Sequence, residues 1–169
     1  MTEALIDTTA FDRVSTAAAE LLLRPACASV AWIGAMAADR PYENLDALTA
    51  HSAEVIDRLG WPDVEEALAA HPRIGERASG DDLESAWSQQ EQSGSGTAEQ
   101  STAAALRAGN VEYEQRFGHV FLICATGRSA EEMLAALRER IGHDEASERA
   151  VVRAELTAIV RLRLAKILR

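Results

Sequence analysis

The sequence is short of most things that build sheets or cross-linked folds. Of 169 residues only 10 are glycine, 4 are proline and 2 are cysteine, and aromatics make up 5%. With so few turn formers and rings, a hydrophobic share of 47% falls mainly to alanine and aliphatic residues, which favours helices over strands. Cys27 and Cys124 stand far apart, which excludes a disulfide scaffold and gives no paired spacing for structural zinc. Both are expected as thiols in a reducing compartment. Positive charge is scarce too: 17 Lys and Arg face 27 Asp and Glu, for a net charge of -10, and no basic cluster forms a local exception. Such a surface repels a phosphate backbone, so no nucleic-acid partner is expected. No apolar run reaches membrane-spanning length, and Met1-Thr2-Glu3-Ala4 does not open a basic region leading into an apolar one. The expectation is a cytoplasmic protein without a membrane partner.

What is present is helical periodicity. The pattern predicts an all-α fold, a single-domain multi-helix bundle with residues 1–10 as a flexible lead-in, 11–169 as the domain, and one short extended segment near 117–125. One helix is expected from Phe11 to Leu23, stopped by Arg24-Pro25, and a second from Ala28 to Ala37, broken at Asp39-Arg40-Pro41. Asn44 caps a third to about Leu59, and a short helix from Asp63 leads to His71. Thr97-Ala98-Glu99-Gln100 has the form of a capping box, starting a helix that is interrupted near Gly109-Asn110 and resumes to Phe117. Ser129-Ala130-Glu131-Glu132 repeats that form before a helix ending at Gly142, and the last helix runs from about Ala146 to Leu168. The run from Phe117 to Ala125 alone reads as extended. With no second strand to pair with, its backbone must find other partners, either side chains and water or a polar ligand.

The chemistry-bearing residues concentrate between His71 and Gln92. Pro72 disfavours helical geometry at the residue before it, so His71 falls at a helix end, where the dipole favours an imidazolium and suits acid–base work. Ser88-x-x-Glu91 reads first as a capping box, and a functional reading is compatible with it, because a helix start offers free amides to an anion. In the last helix Val152, Leu156, Ile159, Arg163 and Ile167 fall at helical spacing, which sets Arg163 within the apolar stripe and turns Arg161 outward. An arginine there snorkels, pairs with a carboxylate or binds an anion. His51 reads as structural and His143 as a solvated residue of a connection. No Gly-x-Ser-x-Gly elbow, His-Glu-x-x-His pair or phosphate loop is present, which argues against serine hydrolase, zincin and P-loop classes.

Four ordered motifs carry a resemblance that spans nearly the whole chain: His71-Pro72-Arg73-Ile74-Gly75-Glu76, Ser88-x-x-Glu91-Gln92, Asn110-x-x-Tyr113-x-x-x-Phe117-Gly118, and Glu155-Leu156-x-x-Ile159-x-x-Leu162-Arg163-Leu164. Together they resemble the 2-oxo-4-hydroxy-4-carboxy-5-ureidoimidazoline (OHCU) decarboxylase family of urate degradation. The resemblance implies an all-α homodimer that makes S-allantoin and carbon dioxide from a small ureide, with no metal and no organic cofactor. It implies catalytic roles for His71, Glu91 and Arg163. It also implies substrate contacts at Pro72, at Ser88, Gln89, Gln90, Glu91 and Gln92, and along the backbone of Phe121, Leu122, Ile123, Cys124 and Ala125. The family's frequent Phe-Gly-Phe-Pro-Phe segment reads Phe117-Gly118-His119-Val120-Phe121 here. His119 is read as a change in the substrate wall rather than a second acid–base group. Two rivals stand beside this reading: a lyase or hydrolase for another ureide, and a non-catalytic helical interaction module.

Overall fold

The computed structural model describes residues 6–75 and 100–169. Among the described residues there are eight helices and no strand. They are α1 (Thr8–Arg13), α2 (Thr16–Leu23), α3 (Val30–Ala38), α4 (Leu45–Arg58), α5 (Trp61–Ala69), α6 (Gln100–Phe117), α7 (Ala130–Ile141) and α8 (Glu145–Ile167). The fold is all-α, as the composition indicates.

Short polar side chains set the helix starts. Asp7, Ser15, Ser29, Asn44 and Ser129 each accept a hydrogen bond from the amide three residues on, satisfying a donor that the first turn leaves orphaned. At Ser129 the capping box is complete, because Glu132 reaches back to the Ser129 amide. The Thr97-Ala98-Glu99 part of the other expected box lies outside the described residues.

Three expectations change. The helix expected from Phe11 to Leu23 is two helices, because Ser15 takes extended backbone to cap α2 and so breaks the spiral after α1. The apolar spacing continues across that break, which hides it from a periodicity argument. The chain is also structured before residue 10: Ile6 forms a parallel bridge with Leu168, and the Thr8 hydroxyl donates to the Arg169 carbonyl at 3.0 Å. Finally, α6 runs through Gly109-Asn110 without interruption.

Two compact units divide the chain, residues 1–67 with 156–169 and residues 68–155. Within the first, Arg40 ties helix ends together: its guanidinium donates to the carbonyls of Ala37, Phe11 and Val14 and lies over the Phe11 ring. Trp32 is fully buried and satisfies its indole N–H on the Ser52 hydroxyl at 3.1 Å. His51 holds the Asp39 carboxylate at 2.8 Å, a structural histidine as expected.

Within the second unit one apolar cluster joins Ile74, Leu106, Tyr113, Phe121, Ile123, Ala125, Met133 and Leu137. The reason α6 tolerates a mid-helix glycine lies here. A β-carbon on Gly109 would stand 2.5 Å from Leu137 Cδ2, so the glycine lets α6 approach α7 closely. Leu137 is fully buried and has little room to yield. Gly109→Val is therefore expected to cost about 2 kcal/mol through overpacking, read as a lower urea midpoint with unchanged m-value. Wild-type stability in that variant would show that the two helices can separate without cost.

Candidate active site

The helix carrying the first motif ends where Pro72 requires it to. The His71 amide still donates to the Leu68 carbonyl at 2.9 Å, closing the last turn of α5, and the side chain is buried with 8% exposure. Gly75 then takes φ 85°, a left-handed conformation open to glycine, and turns the chain.

The α6 motif holds that turn from beside it. Asn110 is 1% exposed and donates through Nδ2 to the Ile74 carbonyl at 2.9 Å. One turn on, Glu114 receives Arg73 in a two-pronged bond at 2.6 and 2.9 Å, and this keeps its carboxyl below the usual carboxylate range. Residues i and i+4 of one helix face thus fix Ile74 and Arg73, the two positions that follow His71-Pro72. Between them Tyr113 enters the core against Phe117 and Phe121, with ring centroids at 4.7 and 5.3 Å.

The run after α6 is not a strand. Gly118, at φ 78°, ends the helix, and residues 120–125 continue without helix or sheet partner. Their side chains nevertheless alternate. Phe121, Ile123 and Ala125 enter the core cluster, while Leu122 and Cys124 lie outside it. Side chains supply the backbone partners a neighbouring strand would have given: Arg140 Nη1 donates to the Leu122 carbonyl at 2.8 Å, and the Cys124 amide donates to Glu155 at 2.8 Å.

Arg140 belongs to a buried charge cluster. Glu148 is 0% exposed and accepts from Arg140 Nε and Nη2 at 3.0 and 2.6 Å, from the Tyr113 hydroxyl, and from His143 Nδ1 at 3.0 Å. Burial first, then the bond to the Glu148 carboxylate, push the Tyr113 phenol far above its ordinary range. His143, expected to be solvated, is instead a partner of this carboxylate; it sits in the connection before α8, close enough to reach back to Glu148.

Arg163 is fully buried and Arg161 exposed, as the stripe on α8 requires, and Val152, Leu156, Ile159 and Ile167 are buried along the same face. Arg163 belongs to the first unit, whereas His71, Pro72 and Phe121 to Ala125 belong to the second. Glu76, Ser88, Gln89, Gln90, Glu91 and Gln92 lie outside the described residues. His119 is half-buried, with its ring edge-on to Tyr113 at 5.5 Å. With Leu68, Ala69, Glu114, Gly118 and Val120 it lines a cavity of about 310 Å³.

Arg140 and Glu148 are absent from the sequence reading, and Asn110 and Glu155 stand there only as motif positions without a role. A signal exists for the first two. Arg140 follows Met133 and Leu137 at helical spacing, and Glu148 stands one turn before Val152 on the stripe that marks Arg163.

A helix ending at a buried imidazole, with the next residue of that motif packed in one core with a side-chain-held backbone run, offers the parts from which an enzyme site is built. Comparison with known proteins gives the particular kind. The family model for OHCU decarboxylase matches residues 12–165. A 2-oxo-4-hydroxy-4-carboxy-5-ureidoimidazoline decarboxylase from Amia calva is 34% identical over 146 residues, covering 85% of this chain and 81% of that protein. The uric acid degradation bifunctional protein TTL of Arabidopsis thaliana is 32% identical over 145 residues, 83% of this chain and 44% of that one. Among solved structures, an OHCU decarboxylase crystallised in the presence of (S)-allantoin superposes with a TM-score of 0.74 at 30% identity, covering 85% of this chain and 94% of that chain. The chain belongs to the OHCU decarboxylase family, which are carboxy-lyases.

The cluster generates a pH-dependent expectation. Tyr113 titrates higher folded than unfolded, so its contribution is fully present below the unfolded phenol range near pH 10 and is lost as pH rises toward the folded value. Tyr113→Phe should lower stability at pH 8 by about 1–3 kcal/mol, because Glu148 loses a buried donor. The same variant should lose less further stability between pH 8 and pH 11 than wild type does. Parallel urea titrations at the two pH values check this, and equal alkaline losses would remove Tyr113 as the cause.

Proposed function

We propose that this protein decarboxylates OHCU to S-allantoin and carbon dioxide in urate degradation, stereoselectively and without metal or organic cofactor. The observation that supports it most is the conjunction of family membership over 12–165 with a buried His71 at the end of α5 and an inward Arg163 on α8.

The substrate brings its own electron sink. Its carboxylate-bearing carbon also carries a hydroxyl and adjoins a carbon–nitrogen double bond. When the carbon–carboxylate bond breaks, the electron pair left behind moves into the ring and that nitrogen takes up a proton. The hydroxyl then becomes a carbonyl as a proton reaches the ureido-bearing carbon, giving allantoin. The protein must therefore desolvate and aim the carboxylate, move the hydroxyl proton, and protonate one face only.

In this reading His71 is the acid–base group and Glu91 its partner at the reacting centre. Arg163 positions the carboxylate, a task for which a guanidinium fork is better suited than an ammonium. Pro72, Ser88 to Gln92 and the backbone of Phe121 to Ala125 hold the ureide, whose carbonyls and N–H groups call for donors and acceptors in alternation. The homodimer and the cytoplasmic location belong to the same reading. No helix among the described residues is long and apolar enough to cross a membrane, which fits it.

The test is OHCU generated in situ from urate by a urate oxidase and a hydroxyisourate hydrolase, with the circular dichroism of allantoin followed over time. Because OHCU decays spontaneously to racemic product, handedness is the readout. Rapid growth of an S-allantoin signal is expected; racemic product at the uncatalysed rate from folded protein would reject the activity. His71→Asn should lower the rate at least ~100-fold with the helical spectrum unchanged. Arg163→Lys should lose about tenfold more turnover than Arg161→Lys, since only the inward side chain can make the bidentate contact. Equal losses would place the carboxylate elsewhere.

A further inference from the structure

Resting on that functional reading, we propose that Glu155 and Arg140 are positioning residues that hold the run from Phe121 to Ala125 as two posts, presenting the amide and carbonyl of Ile123 to the ureide. The argument begins with the period-two geometry of an extended chain. Backbone groups of successive residues point to opposite edges, so the groups of Leu122 and Cys124 share one edge and those of Ile123 face the other.

The structure braces the first edge at two points. Arg140 Nη1 donates to the Leu122 carbonyl, and Glu155 Oε2 accepts from the Cys124 amide, each at 2.8 Å. Just beyond, the Ala125 carbonyl accepts from the Arg128 amide at 3.0 Å. Among the described residues Ile123 makes no hydrogen bond at all, although it is 3% exposed. Buried backbone groups are almost always paired, so the amide and carbonyl left over at Ile123, between a held Leu122 carbonyl and a held Cys124 amide, mark a place kept for a polar ligand. A ureide offers an acceptor and a donor side by side, matching that amide and carbonyl.

Neither post is itself loose. Arg140 is fixed by Glu148, and Glu155 also faces Arg128 at 3.5 Å. The two come from different helices, α7 and α8, so the edge they define is set by helix packing and not by the run itself.

Glu155 is the better residue to change, because removing Arg140 would strand the buried Glu148 charge. Glu155→Leu cannot accept from Cys124, whereas Glu155→Gln keeps an oxygen acceptor and loses only the charge. OHCU turnover by the two variants, followed as S-allantoin, should show KM raised about tenfold for the leucine variant with kcat within about threefold, as for the loss of one uniformly felt contact. The glutamine variant should keep KM within about threefold of wild type. An unchanged KM in folded Glu155→Leu, or equal KM values in the two variants, overturns the proposal. If wild type itself yields only racemic allantoin, the functional reading falls and this inference with it; wild-type turnover with an indifferent leucine variant sinks the inference alone. A measurement on the unaltered protein checks it independently. With saturating (S)-allantoin as the probe, exchange of the Ile123 amide proton should slow at least about tenfold while that of Cys124, already bonded, changes much less. Slowing at Cys124 and not at Ile123 would overturn the assignment.

Discussion

A carboxylate with no exposure to water constrains the second unit more than any apolar contact does. Glu148 stands in the first turn of α8, and its two oxygens are met by Arg140 from the last turn of α7, Tyr113 from α6 and His143 from the connection. Desolvating a carboxylate costs several kcal/mol unless its partners stand in good geometry, so these elements cannot shift independently. A set of apolar residues of equal volume could well stabilise the fold as much. What apolar residues could not do is use the remaining arm of Arg140, which holds the Leu122 carbonyl. The charge cluster therefore gives position more than stability, and the backbone run it positions has no sheet to do so.

A second constraint comes from α6, which serves two neighbours with one face. Leu106, Asn110, Tyr113 and Phe117 follow one another at helical spacing, and Glu114 flanks them. Toward Ile74 and Arg73 the face offers a polar hand; toward Phe121 it offers rings. The segment after His71 and the run after Gly118 are thus gauged from the same helix. An error in the pitch of α6 would move both at once, and Gly109, where a β-carbon would meet the Leu137 side chain at 2.5 Å, lets α6 lie close against α7.

Much of this was legible in the chain and some was not, for physical reasons. Caps are local chemistry, and Asn44 and Ser129 could be read because a short polar side chain bonds an amide three residues on whatever surrounds it. Arg163 could be read because a charge inside an apolar stripe is a conflict visible in one dimension. The same rule, carried one turn further back, reaches Glu148, and applied to α7 it reaches Arg140. A stripe drawn through apolar residues alone skips both, because neither is apolar. Ser15 was hidden for the opposite reason: apolar spacing on both sides of a cap stays in phase by accident, and only the backbone shows the break. Gly109 and Asn110 looked like a helix end because glycine and asparagine end helices in isolation; a neighbour at close range and a carbonyl to hold reverse that meaning, and neither is local in sequence. Pairings such as Arg73 with Glu114 or Cys124 with Glu155 depend on tertiary packing and leave no periodic trace.

The acidity of the chain bears on how an anionic substrate could be held. A net charge of -10 disfavours the approach of a carboxylate, yet over more than about 8–10 Å that field is screened at physiological salt. Inside a buried site the local charges decide, since a guanidinium out of water acts through a lower dielectric than any surface group. The overall sign of the protein then sets the rate of encounter but not the strength of capture. That division makes the paired cations instructive. Arg140 and Arg73 are each committed to a carboxylate of the chain, Glu148 and Glu114. A guanidinium already matched to a carboxylate gains little from a second anion, because the first has neutralised most of its field. In the proposed reaction neither is then suited to holding the substrate's carboxylate, while the neutral ureide end calls for hydrogen-bonding groups and not for charge.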